Sequence, residues 1–130
     1  MIERLSKRVR QENGQGGFTL IELLVVIVII GILLAIAVPS YLNFRTRAND
    51  SAAQANVRSA VPSVEAYFAD NDTYVGMTLA ELQLIDSGIS PTIDVGTVSA
   101  TSYCIDDDSV AGSEFRKPGP GDAIEAGACP

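Results

Sequence analysis

Histidine is absent from this 130-residue chain, and with it the commonest general base and a common metal ligand. After Lys7 the sole lysine is Lys117. No CxxC, GxSxG or phosphate-loop pattern occurs. An enzyme built on this chain would have to work with Asp, Glu, Ser and Tyr alone, so the sequence reads as non-enzymatic and without a cofactor. Positive charge is scarce as well. Residues 45–130 hold five cations, Arg45, Arg47, Arg58, Arg116 and Lys117, against thirteen acids. An acidic domain with no basic face argues against a direct nucleic-acid site on a single subunit.

What the chain does have is a long apolar run, "GGFTLIELLVVIVIIGILLAIAVPSY" at residues 16–41. Residues 18–38 as a helix would cover about 31 Å, the hydrocarbon thickness of a bilayer. One charge, Glu22, sits inside it. A lone carboxylate in lipid is costly and requires a partner. Two readings of the run compete. Ala35-Ile36-Ala37 is an A-x-A-like cleavage site of a secretory signal peptide. Against that, the apolar core is longer than the usual signal core, and "VPSYLNF" after Ala37 stays apolar, as in a retained membrane helix. Arg4, Lys7, Arg8 and Arg10 precede the run. They would keep the N-terminus in the cytoplasm and place residues 45–130 outside.

Beyond Pro39 helical spacing continues. Val57, Val61, Val64 and Phe68 follow steps of four, three and four, and Phe44, Ala48 and Ala52 extend a similar stripe. Arg45, Arg47, Asn49, Arg58 and Glu65 mark the opposite side. The pattern predicts one long helix from about residue 18 to about residue 70, bent at Pro39 and Pro62, where a backbone donor is missing. Its Val57–Phe68 stripe should pack on the protein's own sheet. Thr78 and Glu81 form a capping box, and Gly88 a stop, around a short helix near 79–86. Strands are expected near 92–95 and 98–105, with Gly96 as a break between them, and near 113–117, with any last strand short. The fold class is α+β: a long bent N-terminal helix packed against a small antiparallel sheet.

The stretch from Gly17 through Phe18, Glu22 and the unbroken apolar run to Pro39 resembles the N-terminus of type IV pilins and their pseudopilin relatives, closest to the type IVa kind. The resemblance continues loosely to "NDTY" at residues 71–74. It implies cleavage by prepilin peptidase after Gly17 and methylation of the new Phe18 amine. Residues 1–17 are then a cytoplasmic leader, residues 18–44 the transmembrane and filament-core half of the helix, and residues 45–130 an extracytoplasmic head. The same resemblance implies assembly with copies of itself, helped by an inner-membrane platform and minor pilins, with membrane lipid as the partner before assembly. Glu22 would meet the Phe18 amine within its own helix, at i and i+4, or in a neighbouring subunit. In relatives the stretch between Gly31 and Pro39 can loosen during assembly; ordinary membrane-helix tolerance of Gly and Pro explains both residues equally.

Three functions fit. A type IV pilus serves adhesion, twitching motility or DNA uptake. A pseudopilus belongs to a type II secretion or competence system. A single-pass anchored acidic binding domain would need neither Gly17-Phe18 nor Glu22. Cys104 and Cys129, the only cysteines, fall in the half placed in an oxidising compartment and should pair. Pilins commonly close their C-terminal loop with such a disulfide, which favours the pilus. Major pseudopilins more often use calcium there. Asp106, Asp107 and Asp108 are a weak calcium candidate, better read as a solvated acidic turn.

Overall fold

A computed structural model describes residues 16–130. Of the expected leader, all but Gly16 and Gly17 lies outside these residues. The chain divides into a unit that ends at Tyr41 and a second unit, Leu42–Pro130. The elements in chain order are α1 (Leu20–Asn71), α2 (Leu79–Ile85), β1 (Ile93–Val98), β2 (Tyr103–Asp107), β3 (Phe115–Lys117) and β4 (Glu125–Ala126).

Helix α1 begins at a capped end. The Thr19 carbonyl accepts from Leu23 N at 3.3 Å, and the Thr19 hydroxyl accepts from Glu22 N at 3.2 Å. The helix then stays helical through Gly31, Pro39 and Pro62. Each proline deprives one carbonyl, four residues earlier, of its helical donor. The helix ends where Asp72 takes a left-handed conformation, φ 55°, a position that Asp tolerates better than most residues.

In the second unit α1 contributes Val57, Ala60, Val64 and Tyr67 to the core, with Tyr74, Met77, Leu82, Ile89, Ile93, Tyr103 and Ile105. Val57 and Val64 of the expected stripe are fully buried, and the buried row differs from it at the other two places. Ala60 and Tyr67 take the centre, while Val61 and Phe68 flank it, partly buried. Both pairs are apolar, so the sequence pattern leaves the centre of the face undetermined. The flanking Phe68 is packed by Tyr74, whose ring lies 4.6 Å from Phe68 and 4.9 Å from Tyr103 by centroids. Phe44, Ala48 and Ala52, expected to extend the stripe, are exposed.

The four strands form an antiparallel sheet in the order β1-β2-β3-β4. Gly96 does not end a strand as expected. It lies inside β1, beside a register shift between Val95 and Val98, and the turn comes later, closed by Ser99 N donating to the Ser102 carbonyl at 2.8 Å. The glycine serves packing: a Cβ at residue 96 would lie 2.5 Å from the Cβ of Cys129.

Strand β2 is buried along its whole length, so the expected solvated acidic turn at 106–108 is corrected for Asp106 and Asp107. Asp107 accepts hydrogen bonds from Asn56 Nδ2 of α1 at 2.6 Å, Thr92 Oγ1 at 3.2 Å and Ser109 N at 3.0 Å. Burial alone raises its carboxyl, but these donors outweigh burial and hold it below the usual carboxylate range. Asp107 thus stabilises the fold above its unfolded pKa, and that contribution is lost as the pH falls through its lower folded value. Asp107→Ala should cost about 2–4 kcal/mol at pH 7 by orphaning several donors at once. The penalty should shrink below about pH 4. Urea denaturation of the detergent-solubilised protein at the two pH values measures both effects.

Candidate functional site

Two regions carry unusual chemistry. The first is residues 18–44. Its large apolar side chains are exposed throughout, from 48% at Val25 to 85% at Phe18. By length and composition α1 is the one helix among the described residues able to cross a membrane. A surface this apolar is unsuited to water and requires lipid or partner helices.

Glu22 is held at the start of this surface. Its Oε2 accepts from Thr19 N at 2.8 Å and from Thr19 Oγ1 at 2.9 Å. With the Glu22 N–H on Thr19 Oγ1, this is a reciprocal capping box. The carboxylate is satisfied by two donors and carries its charge where the helix dipole favours an anion. Among the described residues no cation pairs with it; the one ion pair there joins Arg116 to Glu125. Thr19 is missing from the site expected from sequence, although T-x-x-E is the same signal that marks Thr78 and Glu81. At Gly31, an added Cβ would meet open space, so packing within the described chain does not require glycine there.

The second region is the C-terminal segment. Cys104 and Cys129 are joined by a disulfide, with Cα atoms 5.9 Å apart. The register aligns a row of charges across the sheet: Asp94, Asp106, Arg116 and Glu125. Arg116 donates through Nε and Nη2 to Glu125 Oε1 at 2.9 and 2.7 Å, and through Nη1 to the Ala128 carbonyl at 3.0 Å. Asp106 Oδ2 accepts from Cys129 N at 2.7 Å, while its buried Oδ1 has no partner. Burial pushes the Asp106 carboxyl above its ordinary range; the Cys129 amide opposes this, and Asp94, Asp108 and Asp107 add to it. Asp106 and Asp107 are adjacent strand residues and serve opposite faces. Among the described residues no group of three carboxylates or thiols is placed to hold a metal ion.

Comparisons with known proteins cover up to about two thirds of the chain. A family model described as the prokaryotic N-terminal methylation motif matches residues 13–38. The chain is 43% identical over 91 residues to the type IV wide pilus major component PilA4 of Thermus thermophilus, covering 68% of this chain and 70% of that protein. It is 43% identical over 68 residues to the type IV major pilin protein PilA of Myxococcus xanthus, covering 52% of this chain and 31% of that one. It is also 38% identical over 64 residues to the type II secretion system core protein G of Pseudomonas aeruginosa, covering 49% and 45%.

Proposed function

The chain belongs to the type IV pilin family, and on that premise we propose that it is the repeating subunit of a type IV pilus, polymerising through residues 18–44. The observation that carries this reading is the 91-residue alignment to a major pilus component, which extends well beyond the 26 residues of the methylation motif. A pseudopilus of a type II secretion system is the second reading, favoured by the alignment to core protein G, which covers about half of each chain.

The proposed path starts with the subunit in the cytoplasmic membrane, its head outside. Prepilin peptidase cuts after Gly17 and methylates Phe18, and an assembly platform then draws the helix into the filament. Lipid tails are as apolar as Leu or Ile, so transfer from bilayer to filament core gains packing and little hydrophobic energy. Charge pairing then sets the register. Before the cut, Phe18 offers only an amide; afterwards it offers a cation. Glu22 of one subunit and the Phe18 amine of the next become partners, and either ion left alone in an apolar core costs several kcal/mol. Identical helices meeting head to tail use contacts that do not close, and a filament follows.

Intact mass spectrometry of protein from its native host tests the first step. The expected mature chain begins at Phe18 and carries one N-terminal methyl group. A mature chain beginning at Val38 would overturn the reading.

A further inference from the structure

We propose that a groove on the second unit, between α1 and the segment after β3, is a docking site for a carboxylate of a second copy of this chain. The groove holds about 500 Å3 and is lined by Gln54, Arg58, Val61, Lys117, Asp122 and Ile124, among others. The proposal rests on the filament reading and adds a contact through the heads.

The argument starts from Lys117. It faces the interior, with 9% of its surface exposed. Its Nζ donates to the Asp122 carbonyl at 2.5 Å, its one acceptor among the described residues. An ammonium has three donors, so capacity is left over at the edge of an open groove. The chain is rich in acids, yet among the described residues neither Lys117 nor Arg58 forms an ion pair. The Asp122 side chain also lines the groove, but its carboxylate forms no ion pair with either cation. Arg116, the adjacent cation on β3, is already taken up by Glu125 and Ala128.

Two cations in one groove, one of them largely buried, suit an anion. A second copy is the partner best supplied with them, since each copy brings thirteen acids in residues 45–130. A single exposed ion pair is weak. A partly desolvated one repeated at every subunit adds up along a polymer, and the same charges exclude a wrong register by setting like against like.

Lys117 is the only lysine in residues 16–130, which makes a zero-length test selective. Filaments assembled from a mixture of isotopically light and heavy subunits are treated with a carbodiimide, which condenses an amine with a carboxylate it touches. Peptide mapping should find Lys117 joined to an Asp or Glu of the other isotope, and Lys117→Arg should abolish that product. A bond from Lys117 only to Asp122 of its own chain, or no bond at all, would overturn the proposal. So would displacement of the contact by inorganic phosphate without any change in filament stability, because the groove would then be a small-anion site. Arg58→Glu provides the second arm. It should lower sheared filament yield by roughly tenfold, through like-charge contact, while Arg58→Lys stays within about twofold of wild type. Processed subunit should remain in the membrane with a protease-resistant head in both variants. Unchanged filament yield from Arg58→Glu would overturn the proposal. Failure of the wild-type chain to form filaments would refute the filament reading instead.

Discussion

Glu22→Ala should be inserted and cleaved as efficiently as wild type and yet leave few or no filaments. Removing a charge from an apolar segment eases insertion, so the membrane pool of processed subunit should be normal or raised. Assembly is where the loss appears. A Phe18 amine without its counter-ion in an apolar core costs about 3–5 kcal/mol, enough to lower filament yield by a factor of tens or more. Helix capping is a separate contribution, because the Glu22 carboxylate also accepts from Thr19 N and Oγ1. Two further variants divide the effects. Glu22→Gln keeps an acceptor for Thr19 and removes the charge, and should fail nearly as badly as Glu22→Ala. Thr19→Val removes the hydroxyl and keeps the charge; it should cost about 1 kcal/mol of capping and reduce the yield only modestly. Immunoblots of sheared filaments against membrane-bound subunit measure all three. Normal filaments from Glu22→Gln would show that capping, and not charge pairing, is what Glu22 supplies.

Replacing both cysteines with serine should have the largest effect on the head. The bond joins residues 25 apart, and closing such a loop contributes about 3 kcal/mol in the chain-entropy model. Its loss releases more than a tether. Cys129 N is the donor to buried Asp106, and Arg116 holds Ala128 beside it. Once the segment frays, Asp106 loses the Cys129 amide and its cover, and water takes their place. Burial already raises that carboxyl. A raised folded pKa means stability that is present at low pH and lost as the pH rises through it. Fraying exposes Asp106 to water and relaxes this penalty, so the cost of the double variant relative to wild type should be smaller at pH 7 than at pH 4–5. A nonspecific protease should cut first between Pro118 and Pro130, with α1 left intact. Doubling the variant leaves no free thiol to crosslink neighbours. In wild type, non-reducing electrophoresis should show a monomer with one internal bond, and a covalent dimer would contradict the assignment.

Some features of this molecule are legible in its residue order because they are local or periodic. The apolar run, the single charge in it and the spacing of Val57 to Phe68 each follow from a repeat that a helix imposes on its own neighbours. The capping signal at Thr78 and Glu81 is local too, and so is the one at Thr19 and Glu22. At Glu22 one carboxylate has two roles, a charge that calls for a cation and an acceptor for the Thr19 backbone. Family membership was legible for the same reason: its motif is one contiguous stretch, residues 13–38.

Other features were decided only by tertiary structure. Gly96 looks like a strand break until Cys129 is placed above it, because the clash that requires glycine comes from 33 residues away. Asp106 and Asp107 read as a solvated turn, since consecutive acids usually are. They are buried because the two faces of β2 are covered by different parts of the chain, Asn56 reaching Asp107 and Cys129 reaching Asp106. Which apolar row of α1 lies at the centre was likewise open in the sequence, because Ala60 and Tyr67, which reach the core, and Val61 and Phe68, which flank it, are all apolar. A sequence specifies what each position prefers within a few residues of itself; burial depends on what arrives from far along the chain, and only the packed fold brings those partners together.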